Sequence, residues 1–367
     1  MDARIRQHAD IIVDHSIDLQ PGENVVVSMP PVAEDLAVAL YERIADVGAN
    51  PVMISRGDKG IGTDRAARAY LRNVDDDSME TPEHLLALFE NADATIVCRS
   101  HENVTEHSDV DTETDAAYRR AYRDVLNARL DTRWCLTMFP TESDAQLAGM
   151  STEGYQNFVW DAVNKDWEKV RKHQAQMVEI LDPAEEVRIV SGDETDVTMS
   201  VANMKTLNDY GENNLPGGEV FTAPVPDSVN GTVLFDKPLY HQSREVTNAR
   251  LEFEDGEIVD YSAEANEDVL EAVITTDEGA KRLGELGIGM NRDIDRFTYN
   301  MLFDEKMGDT VHLAVGRAYP ATVGEGVEQN DSAVHVDMIV DMSEDSRIEV
   351  DGEVVQRDGT FKFEDGF

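Results

Sequence analysis

Between residues 24 and 138 the chain repeats one pattern, and that pattern leaves few folds open. Short apolar runs at Asn24–Met29, Pro51–Ser55, Asp93–Cys98 and Arg133–Met138 alternate with segments of helical spacing at Glu34–Val47, Ala66–Leu71, Glu83–Phe89 and Ala116–Arg129. Strands that alternate with helices predict a parallel sheet with helices packed on it. A leading helix is expected over residues 2–19, where Ile5, Ala9, Ile12, Val13 and Ile17 recur at helical spacing before the Gln20-Pro21-Gly22 turn. No segment has the spacing of a glycine-rich dinucleotide or phosphate loop, and Gly57-Asp58-Lys59-Gly60 lacks it too. Cys98 and Cys135 each lie inside a strand-like run and read as small buried hydrophobes.

Residues 152–182 read as helical, with Trp160 and Trp167 as packing residues, and the texture changes after Pro183. Short strands broken by Gly, Asp and Asn follow at Val187–Val190, Val197–Val201, Gly218–Phe221, Thr232–Phe235, Ala249–Phe253 and Ile258–Tyr261. One helix is expected over Glu267–Leu283, then strands at Thr310–Val315, Ala333–Val340, Ile348–Val350 and Thr360–Phe363. The expectation is an α/β domain with a parallel sheet over 1–183, then a mainly antiparallel β (α+β) domain over 184–367.

Charge narrows the partners. Seventy-five acidic residues face 32 basic ones, a net charge of −43, and the acids are spread along the whole length. Such a surface repels nucleic acid and anionic membranes. Spread acidity with little Lys suggests a halophile, because molar salt shortens the Debye length to about 3 Å and screens the self-repulsion. No apolar run reaches the roughly 18 residues of a membrane span, and the first ten residues have no signal-peptide core. A cytoplasmic location is expected.

Four places after residue 183 offer metal-type ligands. Pro216-Gly217-Gly218-Glu219 delivers a carboxylate to the start of an apolar strand, and Glu285 sits among glycine and aliphatic residues in Glu285-Leu286-Gly287-Ile288-Gly289. His312 lies inside the apolar run Val311–Val315. His335-Val336-Asp337 opens another, where residues two apart share a face. Taken singly, these are a turn carboxylate, a surface acid, a core histidine and the polar side of a strand. Together they are five nitrogen and oxygen ligands with an excess of carboxylate, which suits two divalent ions sharing a carboxylate.

The runs Pro216–Pro224, Glu285–Gly289, Phe303–Pro320 and His335–Asp341 together resemble the thermophilic-type metallo-aminopeptidases. That family is represented by aminopeptidase T and aminopeptidase S and is also described as leucyl aminopeptidases; this chain would be a haloarchaeal-like member. The resemblance implies a dinuclear centre of two divalent ions (Zn, Co or Mn) held by Glu219, Glu285, His312, His335 and Asp337. It implies an active-site phenol from Tyr319, near the reacting carbonyl, with Glu219 and Glu285 counted with it among the catalytic residues. It further implies release of leucine-like N-terminal residues from short peptides, by a homodimer with an enclosed site. The chain departs from the family pattern in the short acidic loop 322–331. Two other readings of the five ligands stay open: a dinuclear hydrolase for amides or phosphate esters, and a non-enzymatic acidic protein holding structural cations.

Overall fold

The computed structural model describes residues 1–57, 59–241 and 244–367; Asp58, of the Gly57-Asp58-Lys59-Gly60 stretch, lies outside them. The chain divides into two compact units, one of Met1–Lys165 with Gly211–Gly217, the other of Asp166–Tyr210 with Gly218–Phe367.

In the first unit, five parallel strands stand in the order Asn50–Ser55, Asn24–Met29, Ala94–Cys98, Arg133–Thr137, Asn214–Leu215. The central strands are buried and rich in Val and Ile, whereas the edge strand Asn50–Ser55 leaves Val52 and Met53 exposed. Helix Glu34–Val47 buries Leu36, Ala37, Leu40 and Ile44 on one stripe and stops at Gly48, whose φ of +83° closes the last turn onto the Ile44 carbonyl. Cys98 and Cys135 are buried in their strands and form no disulfide. The expected helix over Ala116–Arg129 is two helices, Thr112–Ala121 and Arg123–Leu130. They meet at Tyr122, whose φ of −94° and ψ of 3° lie in the bridge region.

The segment 152–182 is also two helices, Thr152–Val163 and Trp167–Leu181; Asn164 leaves helical geometry and the Asp166 carboxylate caps the second helix through the Lys169 N–H. Trp160 and Trp167 are both buried. The second unit is built on two antiparallel sheets. An eight-stranded one runs, in spatial order, Glu257–Ser262, Ala249–Glu254, Asn230–Phe235, Thr195–Ser200, Glu186–Ser191, Ser346–Val350, Glu353–Arg357, Thr360–Phe361. A five-stranded one runs His335–Asp341, Thr310–Gly316, Leu283–Gly289, Glu219–Thr222, Leu207–Asp209. One apolar cluster joins them, with Val220, Leu286, Ile288, Val311, Leu313, Val315, Val336, Met338 and Val340 from the smaller sheet against Val187, Ile189, Val197, Phe235, Leu251 and Ile348 from the larger.

The expected helix Glu267–Leu283 ends at Ile274 instead. The Thr275 and Thr276 hydroxyls turn back to the Glu271 and Ala272 carbonyls, and the Asp277 carboxylate accepts from Ala280 N–H, Ala333 N–H and the Ser332 hydroxyl. That network holds the chain in a loop, and Leu283 opens a buried strand. Among the described residues no helix is long and apolar enough to cross a membrane.

Candidate metal centre

Alternation along the five-stranded sheet sorts its side chains. Val311, Leu313, Val315, Val336, Met338, Leu286, Ile288 and Val220 face the apolar cluster, so their neighbours in sequence face the other way. That other face carries Glu219, Glu285, His312, His335 and Asp337, one or two from each of four consecutive strands. Cross-strand register sets their spacing: Asp337, Ala314 and Glu285 lie across one rung, and Ile339, His312 and Gly287 lie two rungs further on, on the same face. A bulge between Leu283 and Glu285 precedes the glutamate. The small residues between the polar ones have a steric reason. A β-carbon on Gly287 would stand 2.0 Å from both Cε1 and Nε2 of His312, so only glycine admits the ring there.

The five side chains converge. His312 Nε2 lies 3.1 Å from Glu285 Oε1 and 3.4 Å from Glu219 Oε2. His335 Nε2 lies 3.5 Å from Asp337 Oδ1 and 3.7 Å from Glu285 Oε2. Glu285 thus turns one oxygen to each histidine. Candidate ligand atoms of Glu219, Glu285 and His312 lie within 4.8 Å of one another, as do those of Glu285, His335 and Asp337. Glu219 Oε2, Glu285 Oε2 and Asp337 Oδ1 are buried and accept no hydrogen bond. Burying a carboxylate oxygen without a donor is costly, and divalent cations bound in the two groups would satisfy all three. His335 Nδ1 meets the Arg317 carbonyl at 2.7 Å, and since a carbonyl only accepts, Nδ1 carries the proton and Nε2 faces the carboxylates.

Fully buried Lys306 is a sixth participant. Its ammonium lies 3.0 Å from Glu219 Oε1, 3.7 Å from Asp209 Oδ2 and against Glu305. It occupies one oxygen of Glu219 and leaves the other for the cluster. Gln174, also buried, donates from Nε2 to the Glu219 carbonyl at 2.7 Å and fixes the start of that strand. Burial pushes the Glu219 and Glu285 carboxyls up. Burial also opposes charge on His312 and His335. The neighbouring carboxylates win, raising His312 to about 9 and His335 to about 10, and His335 holds Asp337 down at about 2 against its own desolvation.

Tyr319 packs its ring 4.7 Å from that of His335 and 6.3 Å from that of Phe221, while the residue as a whole stays 48% exposed. Protein packed around its hydroxyl, together with Glu285 and Asp337, raises its pKa, so the phenol keeps its proton. All six sequence-selected residues therefore lie in one region of the second unit. Lys306 was missed, because Asp304-Glu305-Lys306 reads in sequence as a solvated charge run and carries no local sign of burial. His173, outside the motifs, pairs with Glu364 at 3.3 Å.

A family profile described as thermophilic metalloprotease (M29) matches residues 1–366. Aminopeptidase 2 of Geobacillus stearothermophilus is 26% identical, covering 98% of this chain and 97% of its own length. Aminopeptidase T of Thermus thermophilus is 28% identical over 96% of this chain and 94% of its own. Among solved structures, wild-type AmpT from Thermus thermophilus superposes with a TM-score of 0.86 at 24% identity, covering 98% of this chain and 99% of that one. A 2,5-dihydroxypyridine dioxygenase from Pseudomonas putida shares the fold with a TM-score of 0.62 at 13% identity, over 100% and 99% of the two chains. One fold therefore carries more than one enzyme name, and the decision falls on the family and the site. The profile spans nearly the whole chain, and the chain belongs to the thermophilic metalloprotease (M29) family.

Proposed function

We propose that this M29 family member is a metal-dependent aminopeptidase that releases leucine-like N-terminal residues from short peptides. In this reading Glu219, Glu285, His312, His335 and Asp337 hold two divalent ions, Zn, Co or Mn. The observation that carries it is Glu285, which turns Oε1 toward His312 and Oε2 toward His335 and so belongs to both ligand sets. Charge supports the same count. Around the centre, Glu219, Glu285, Asp337, Asp209 and Glu305 face the one ammonium of Lys306. With neutral imidazoles this leaves four negative charges, which two divalent cations offset.

Bound divalent ions supply a water that ionises near neutral pH and an electrophile for the scissile carbonyl. The protein's own groups do the positioning. Lys306 takes Glu219 Oε1, so that carboxylate offers a single oxygen. The Arg317 carbonyl holds the His335 ring through Nδ1–H. The protonated Tyr319 phenol stands beside His335 as a donor for charge that develops on a carbonyl oxygen. Carboxylates facing the site favour a substrate that brings a positive α-ammonium.

The family resemblance extends this reading to a cytoplasmic homodimer, and the net charge of −43 to molar salt as its working medium. Metal analysis tests the ligand assignment: after chelation and reloading, wild type should hold two ions per chain, and His335→Ala and Asp337→Ala should each hold fewer. Full metal content in both variants would contradict it.

A further inference from the structure

The first unit contains a cavity of about 430 Å³ whose lining includes Arg56, Arg99, Arg129, Tyr122, Leu85 and Val125. Its charge is opposite to that of the chain as a whole. Two further cations at this cavity, Lys59 and Arg119, are taken up by Asp115. Arg99 and Arg129 form no ion pair with any described residue, in a chain where 75 acids face 32 bases. Arg129 is the costly one. It is only 8% exposed, its Nε is buried with no acceptor, and its guanidinium lies 5.7 Å over the Trp134 ring. Desolvation, with the like charges of Arg56 and Arg99, pushes its pKa down to about 10. A desolvated cation facing other cations is unfavourable unless an anion completes the site.

The geometry points to a binding site for a small phosphate-type dianion in this cavity, with Arg99 and Arg129 as its principal partners. Guanidinium groups pair with the oxygens of phosphate in fixed, two-pronged geometry. Two cations without carboxylates match a dianion better than the single charge of a carboxylate. Half-buried Tyr122 adds a hydroxyl donor to the lining. The volume falls within the usual range for small-molecule sites, roughly 300–1,000 Å³. A polyanionic macromolecule would meet the strongly negative surface first, whereas a small ion enters the cavity alone. The source is free phosphate or a phosphate monoester, which share this chemistry.

Calorimetric titration of the full-length, metal-loaded protein tests this, with inorganic phosphate and phenyl phosphate as probes against chloride of equal ionic strength. Wild type should bind phosphate at the cavity. Arg129→Met and the exposed Arg99→Gln should each weaken binding roughly tenfold or more, the scale of a charge-assisted contact. Arg120→Ala, exposed and outside the lining, should leave it unchanged. Tighter binding of the ester would assign the site to a phosphorylated small molecule, and binding of the inorganic ion alone to free phosphate; either supports the site. Affinity that survives both cavity substitutions would place the phosphate at the metal centre and overturn the proposal. So would the absence of any response beyond that to chloride.

Discussion

The imidazole of His312 and the backbone of Gly287 are cross-strand partners, and the ring takes the space where a side chain on Gly287 would begin. Gly287→Ala must either tilt the ring or spread the two strands. Overpacking of this kind costs about 1–3 kcal/mol. Because the tilt moves Nε2 away from Glu219 and Glu285, metal affinity should fall roughly 10–100-fold, the range seen when the groups that orient a ligand are removed. Competition with a chromophoric chelator measures it, with far-UV circular dichroism as the control for folding. An unchanged affinity would remove His312 from the ligand set.

Lys306 is buried against three carboxylates, so removing its charge strands them. Breaking a buried pair from one side costs about 3–5 kcal/mol. Lys306→Met should therefore lower the unfolding free energy of the chelated protein, measured by urea titration, by an amount of that order. An equally stable variant would show that solvent or a neighbouring group already neutralises Glu219.

Much of this arrangement was legible in the sequence, and the exceptions have causes. The strands Thr310–Gly316 and His335–Asp341 alternate cleanly because one face enters the apolar cluster and the other carries the polar site. Leu283–Gly289 hides the same role. Its glycines, at 284, 287 and 289, admit the His312 ring and nearby backbone, and they erase the β-branched signature of a strand. The helix expected to run on to Leu283 fails for a tertiary reason, since Asp277 is fixed by residues 332 and 333. Lys306 owes its role to Glu219 and Asp209, which only the fold brings near it.

The histidines make metal binding and stability depend on pH. In the chelated protein His312 and His335 stand at about 9 and about 10, above an unfolded value of about 6.5. A raised histidine contributes stability fully below its unfolded pKa and loses it as pH rises through the folded one. The chelated protein should therefore lose stability between about pH 7 and pH 10, while metal-loaded protein, its imidazoles already deprotonated, should lack this component. Metal uptake near pH 7 should release about two protons per chain. Titration in buffers of different ionisation enthalpy measures the release, and no release would mean the imidazoles are neutral before metal arrives.

Salt dependence follows from the net charge of −43. Raising salt from about 0.1 M to about 3 M shortens the Debye length from about 10 Å to below about 3 Å, which removes most of the self-repulsion. The melting temperature should rise steeply over that interval. A flat profile would contradict a halophilic setting and leave the enzyme assignment untouched.

The most direct test of the central claim compares leucyl dipeptides with a free and an acetylated α-amine, in high salt with added divalent metal. An aminopeptidase recognises the amine, whose pKa of about 7.7–8.0 makes both its ammonium and its lone pair available near neutral pH. Acetylation removes both. Release of free leucine should be readily measured from the free dipeptide and lower by roughly 10⁴ or more from the acetylated one, the discrimination expected when a buried polar recognition group is left unpaired. Equal cleavage of the two would contradict the account and make the protein an amidase or endopeptidase.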